Sequence, residues 1–236
     1  MRYVFALLLS AGSLTVSGVA FAQGSARALF ATGEGTAISA SSVPKEAAPA
    51  KRKESFSGIS YKILEVAENG AETSVSSRKI FRSGDKIRIS AKVNKSGYLR
   101  VINVGPTGNI NKLFEARVNS AQRVTIPQQG AFRFAGPAGV ERVFILLSNV
   151  PFESDNSTGF SACGTVKFAR SRDLVIEDSM ESEFSVVSKS QGCAPVAAAT
   201  RDLVMESVEG SNYGVVPSSS LTNDAALALE IKLQHL

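Results

Sequence analysis

Apolar and polar residues alternate at period two through most of the middle of this chain. Ile59, Tyr61 and Ile63, with Val66 at the end, mark a first strand that Glu68-Asn69-Gly70 breaks. Beyond Ser83-Gly84-Asp85, the residues Ile87, Ile89, Ala91 and Val93 alternate with Arg88, Ser90 and Lys92, which puts one face in a core and the other in water. The stretch 98–104 alternates less and holds more β-branched residues, as a central strand does. Pro106-Thr107-Gly108 turns it back into 110–114, because proline presets the first turn position and glycine tolerates positive φ. Further strands are predicted at 122–126, 131–134 and 140–147, separated by Pro127-Gln128-Gln129-Gly130 and Gly136-Pro137-Ala138-Gly139. Strands at this spacing, without an amphipathic helix, predict an all-β fold: an antiparallel β-sandwich, either Ig-like or barrel-like. The connections are too short for the crossover helices of a parallel sheet.

After Pro151 the pattern becomes irregular, and residues from about 152 to 220 read as a loop-rich insertion within one sandwich domain spanning 56–236. Within it Arg172-Asp173-Leu174-Val175-Ile176-Glu177 is echoed by Arg201-Asp202-Leu203-Val204-Met205-Glu206, with two cysteines between the copies; the echo reads as two strand-like segments of the insertion, a duplicated β-hairpin arm or a coincidence of a short apolar-acidic pattern. At the end of the chain Leu227, Leu229, Ile231 and Leu233 sit at strict period two, which predicts a closing strand, although the Ala-Leu-Glu content also permits a short helix.

The first 22 residues change where this domain is expected to work. Arg2, the apolar run 3–9, a Ser/Gly-rich stretch and Ala20-Phe21-Ala22 form a signal-peptide pattern, with cleavage expected before Gln23; retention as an anchor is the alternative. A periplasmic or secreted location follows, with no transmembrane span after cleavage. Export leads to an oxidising compartment, so Cys163 and Cys193 are expected to form a disulfide stapling the insertion, and two buried thiols are the alternative. Such a loop of about thirty residues is worth roughly 3–4 kcal/mol in the chain-entropy account. Residues 23–55, rich in Ala, Gly, Ser, Thr and Pro, read as a flexible linker.

A net charge of +5 would suggest a polyanion partner if the basic residues clustered along the sequence. The one basic run, Lys45, Lys51, Arg52 and Lys53, falls in the linker, where it solvates a tether or draws the chain loosely to anionic headgroups or wall polymers. No nucleic-acid signature appears, and the aromatic residues fall in strand patterns suited to core packing.

The chemistry expected of a catalyst is sparse. His235 is the single histidine and reads as a terminal surface residue, so a serine or cysteine nucleophile lacks an imidazole base unless the tail folds back. A hydrolase using carboxylates would need two of Asp85, Glu141, Asp173, Glu177, Asp178, Glu181 and Glu183 facing each other across a cleft. Ser83, Gly84, Asp85, Gly105, Pro106, Gly108, Gly139 and Glu141 read instead as structural turn residues. Asp85 is expected to brace its own turn, and Glu141 to hold the Gly139 turn through backbone amides or an arginine. No catalytic residue, cofactor or metal ligand is assigned. The two cysteines have no ligand-spaced partner for zinc, and the acidic stretch 177–183 does not reproduce the calcium-loop spacing.

The ordered set Ser60-Tyr61, Phe81-Arg82-Ser83-Gly84-Asp85-Lys86-Ile87-Arg88, Gly97-Tyr98-Leu99, Gly105-Pro106-x-Gly108 and Leu113-Phe114 resembles a bacterial exported domain family, DUF4384. Val124-Thr125-Ile126-Pro127, Phe132-Arg133-Phe134, Pro137-x-Gly139-x-Glu141 and Leu146-Leu147-Ser148 extend the resemblance over roughly 58–151. Ala28-Leu29-Phe30 is similar to a short lead segment of relatives, and 152–220 departs from the family pattern. The resemblance implies an envelope protein without known catalysis and supplies no active-site residues.

The expected function is a non-enzymatic periplasmic or cell-envelope interaction module, an accessory of secretion or envelope assembly, with an envelope protein as partner. The alternative is a domain that binds carbohydrate or peptidoglycan, a reading weakened by the absence of tryptophan. Partner-binding loops are expected at Asn156, Ser157, Thr158 and Phe160 and at Gln191 and Pro195.

Overall fold

The computed structural model describes residues 25–36, 53–152, 182–191, 194–196 and 203–236. They form two β-sheets with one short helix, and all but one of the strand pairings are antiparallel. The first sheet runs in the order β13 (Val204–Val208), β14 (Ser211–Pro217), β2 (Lys53–Val66), β5 (Lys86–Val93), β8 (Arg123–Ile126). The short strands β1 (Glu34–Thr36) and β3 (Glu72–Val75) join it on β2, and β9 (Phe132–Arg133) joins on β5. The second sheet runs β12 (Ala194–Pro195), β11 (Ser182–Ser188), β15 (Ala225–His235), β10 (Gly139–Ser148), β6 (Gly97–Val104), β7 (Ile110–Val118), and β4 (Ile80–Phe81) lies parallel to the end of β15.

Period-two burial builds the shared core. On β2 and β5 the pairs Ile59–Val93, Tyr61–Ala91 and Ile63–Ile89 all face inward. On β10 and β15 the pairs Val143–Ile231, Ile145–Leu229 and Leu147–Leu227 meet them from the other sheet. The result is sandwich-like, with the Ile87 and Ile89 row fully inside. The sheets approach closely at Gly214 on β14, where an added Cβ would lie 2.2 Å from the ring of Phe184 on β11.

The second sheet is buried on its other face as well. Ile102, Val104, Phe144, Leu146, Phe152, Val187, Ala226 and Ala228 form a separate apolar cluster there. This explains why 143–147 and 225–231 read as nearly continuous apolar runs rather than as an alternation. Ion pairs on the same sheet include Arg100 with Glu115 at 2.9 Å and Arg142 with Glu230 at 2.5 Å.

Three expectations need correction. Within the stretch read as a flexible linker, Ala26–Thr32 forms helix α1, and β1 follows it. Ser25 caps the helix by accepting from the amide of Ala28 at 3.2 Å, and Gly33 ends it at φ 69° while donating to Leu29. Ala26, Leu29 and Phe30 form an apolar stripe that packs on Phe56 and Val215, too short a stripe for periodicity to register. Second, the insertion is narrower than 152–220, because β11, β13 and β14 are integral strands of the two sheets. The second copy of the repeated segment supplies β13, whereas the first copy lies outside the described residues. Third, His235 is 1% exposed rather than a surface residue, because β15 carries it between β10 and β4. The signal segment 1–22, the basic run from Lys45 to Arg52 and both Cys163 and Cys193 lie outside the described residues, so the stapled part of the fold expectation does too.

Candidate functional site

The turn residues singled out by sequence converge at one end of the sandwich. Register pairs Gly139 with His235, and His235 with Phe81, which stands just before the Ser83-Gly84-Asp85 turn. Gly84 adopts φ 101° and Gly108 φ 84°, conformations that favour glycine. Asp85 braces its turn by accepting from the amide of Arg82 at 2.9 Å. Gly139 sits against Pro106, since an added Cβ would lie 2.6 Å from the proline Cβ, and Gly105 accepts the amide of Gly108 at 2.9 Å. Glu141 accepts from the Asn103 amide group at 2.8 Å, a partner other than the backbone amide or arginine expected.

This end also holds Ser83 Oγ 3.1 Å from His235 Nε2, with the imidazole tilted 5.4 Å from the ring of Phe134. The tail therefore does fold back onto a serine. The imidazole has no carboxylate on Nδ1 among the described residues, and Asp85 is engaged with its own backbone turn. Asp85 and Glu141 share this end of the molecule, yet each is committed to a structural hydrogen bond. Of the other carboxylates weighed for catalysis, Asp173, Glu177, Asp178 and Glu181 lie outside the described residues, and Glu183 pairs with Lys232 at 3.4 Å.

Of the expected binding loops, Asn156, Ser157, Thr158 and Phe160 lie outside the described residues. Gln191 is exposed in the turn after β11 and donates its amide to Ser188 Oγ at 3.2 Å. Pro195 is half-buried in β12, opposite Val187, so it belongs to a sheet edge rather than to a loop.

A different surface gathers the unpaired charge. The outer face of the first sheet carries a cleft of about 280 Å³ whose floor is Ser60, Lys62, Ser90, Lys92 and Arg123. Helix α1 and the β13–β14 hairpin wall it on one side through Phe30 and Tyr213, which meet edge to face at 5.6 Å. Register makes the floor: Ser60 pairs with Lys92, Lys92 with Arg123, and Lys62 with Ser90. Each of these residues occupies the outward position of an alternating strand. Arg123 donates to Ser90 Oγ at 3.0 Å, and Ser90 is 3% exposed. Beside the floor, Asn94 clamps β2 by accepting from the amide of Gly58 at 2.7 Å and donating to the Phe56 carbonyl at 3.0 Å.

Elsewhere on the sheets some cations are paired and others, such as Lys86 opposite Arg133, have no carboxylate partner among the described residues. Arg88 pairs with Glu72 at 2.7 Å, and Lys79 with Glu65 at 2.5 Å. Lys62, Lys92 and Arg123 have no carboxylate partner among the described residues. The carboxylates nearest the rim engage α1 instead, with Glu206 accepting the Arg27 amide at 2.8 Å and Glu209 lying 4.0 Å from its guanidinium. Lys95, just past β5, donates to Ser218 at 2.8 Å and also to Ser55, and burial holds its ammonium below the ordinary lysine range against the raising effect of Glu34. By contrast, the groove of about 640 Å³ along β6 and β7 contains Arg100 and Lys112, and both pair with Glu115.

The basic residues thus cluster in space although they do not in sequence. Lys62 stands on β2, Lys92 on β5 and Arg123 on β8, and only the strand pairing brings them together. Sequence reasoning placed Lys92 on a wet face but had no access to register.

The fold and surface define a nearly all-antiparallel, two-sheet β protein with a cation-lined outer cleft. Residues 80–151, which hold β4 through β10, match the family model described as a domain of unknown function, DUF4384. No curated protein and no solved structure matches the chain. The matched region supplies Ser90, Lys92 and Arg123 to the cleft, whereas Lys62 on β2, Phe30 on α1 and Tyr213 on β14 come from outside it.

Proposed function

We propose that this chain is a non-enzymatic interaction module of the cell envelope, exported to the periplasm or beyond, in which a β-sandwich presents a cation-lined cleft to its partner. The observation that carries this reading is the cluster of Lys92 and Arg123, paired by register, with Lys62 one row away on the same face, all without carboxylate partners among the described residues. Like charges directly opposite each other on paired strands are destabilising, and Lys92 faces Arg123 in this way, as Lys86 faces Arg133 elsewhere, so an anionic partner in the cleft would relieve the repulsion there. A rigid sheet floor also holds such a cluster in register at little entropic expense on binding. The isolated Ser83–His235 pair supports a structural use of the histidine, since an imidazole base is ordinarily oriented through its second nitrogen. In an oxidising compartment Cys163 and Cys193 would join, stapling the segment that follows β10.

The partner in this reading is an envelope protein, with the module serving secretion or envelope assembly. The test compares reversible crosslinking of the exported protein in intact cells with sedimentation against purified cell wall. A discrete protein adduct supports the reading. Saturable wall binding without any protein adduct would replace the protein partner with a glycan.

A further inference from the structure

We propose that the cleft on the outer face of the first sheet is a phosphate-binding site, taking a phosphomonoester or free phosphate. This deepens the interaction-module reading and rests on it only for the choice of surface.

The floor supplies three cations, Lys62, Lys92 and Arg123, and two hydroxyls, Ser60 and Ser90, within one cleft of about 280 Å³. That volume lies near the lower end of small-molecule sites. The cleft therefore suits a compact anionic group rather than a long apolar ligand. A phosphomonoester near neutral pH carries close to two negative charges and three strong acceptor oxygens. A carboxylate brings one charge and a planar pair of oxygens, which leaves two of the three cations uncompensated, against one for a phosphomonoester. Arg123 offers a planar fork suited to two phosphate oxygens, and Lys92 opposite it offers a point charge. Ser90 already accepts from Arg123 at 3.0 Å, which leaves its hydroxyl hydrogen free to donate to an anion. Acidic side chains are missing from the described residues that line the cleft, and Glu206 and Glu209 are drawn to Arg27 at the rim. Tyr213 and Phe30 form an aromatic wall against which the organic part of a phosphomonoester can lie.

The test is titration of the purified mature chain with inorganic phosphate and with glucose 6-phosphate, each against chloride at matched ionic strength, followed by calorimetry and by the thermal midpoint. Saturable binding that raises the midpoint, weakened roughly 10-fold or more by Arg123→Gln and by Lys92→Thr, is the expected result. These changes lie on the outer face, so folding of each variant is checked by its own midpoint without phosphate. Binding absent at millimolar ligand, or equal in the wild type and both folded variants, overturns the proposal. Tighter binding of glucose 6-phosphate than of phosphate assigns the Phe30–Tyr213 wall to the organic group, and equal affinity assigns the site to the phosphate alone; both support it. Failure of phosphate to bind while in-cell crosslinks still depend on the cleft would sink this inference and leave the interaction module standing. Phosphate binding without any envelope partner would do the reverse.

Discussion

The hydroxyl of Ser83 sits 3.1 Å from Nε2 of His235, joining the turn after β4 to the last strand of the chain. The amide of Leu236 donates to the Phe81 carbonyl at 2.9 Å beside it, and Phe81 stacks on Phe134 at 4.6 Å. The histidine therefore acts as a clasp between β4, β9 and β15, and its loss opens a void beside two aromatic rings. His235→Ala is expected to cost on the order of 2 kcal/mol, and Ser83→Ala about 1 kcal/mol. Urea unfolding at constant m-value checks both, and a change within 0.5 kcal/mol or so for His235→Ala would show that the clasp does little.

Sheet separation at one corner is set by a missing side chain. Gly214→Val drives atoms into the ring of Phe184, where even a Cβ would stand 2.2 Å from Cδ1. The expected loss is roughly 1–3 kcal/mol or more, as for other overpacked cores. Phe184→Leu in the same chain should restore part of it, a coupling measurable by a double-mutant cycle. Additive losses would mean that the two residues do not share the space.

Asp224 ties the β11 turn to the start of β15. Its carboxylate accepts from Ser188 Oγ at 2.5 Å and from the Ser190 amide at 2.8 Å, and these bonds, the Ser188 one foremost, hold it below the ordinary carboxylate range. A folded-state value below the unfolded one means the folded protein binds fewer protons, so the contribution is complete above the usual value near 3.8 and is lost as pH falls through the lowered one. The residue is largely exposed, and Asp224→Asn should cost no more than about 1 kcal/mol at neutral pH. Thermal melts across pH should show the wild type and the variant converging in strong acid. A gap that persists there would assign the effect to something other than ionisation.

The row on the outer face makes a prediction without any ligand. Lys92→Thr removes one of two like charges directly opposite each other, and threonine suits a strand. The variant should be more stable than the wild type by a few tenths of a kcal/mol in low salt, with the gain fading as salt screens the repulsion. Loss of stability in low salt would show that Lys92 makes a favourable contact.

Period-two alternation made the strands of the middle of the chain legible, since Ile87, Ile89, Ala91 and Val93 and their partners on β2 face one dry interior. The turns were legible for the same local reason: Gly84 and Gly108 stand where φ is positive. Helix α1 was not, because Ala26, Leu29 and Phe30 give barely one turn of pattern and draw their stability from Phe56 and Val215. The strand character of 201–206 is legible, and β13 forms there, whereas the pairing that joins the β13–β14 hairpin to β2 depends on register and not on local pattern. The cleft was invisible for a deeper reason. Lys62, Lys92 and Arg123 are unremarkable solvent-facing residues one at a time, and only long-range strand register sets them side by side.

If the outer face of the first sheet is where the protein meets its partner, a photo-crosslinking residue placed in intact cells at Thr125, which pairs with Ser90 beside the cleft, captures a discrete adduct, and one at exposed Asn111 on edge strand β7 captures none. The adduct from position 125 disappears when Lys92→Glu and Arg123→Glu reverse the charge. An adduct from 111 alone, or one from 125 that survives the charge reversal, rules this face out.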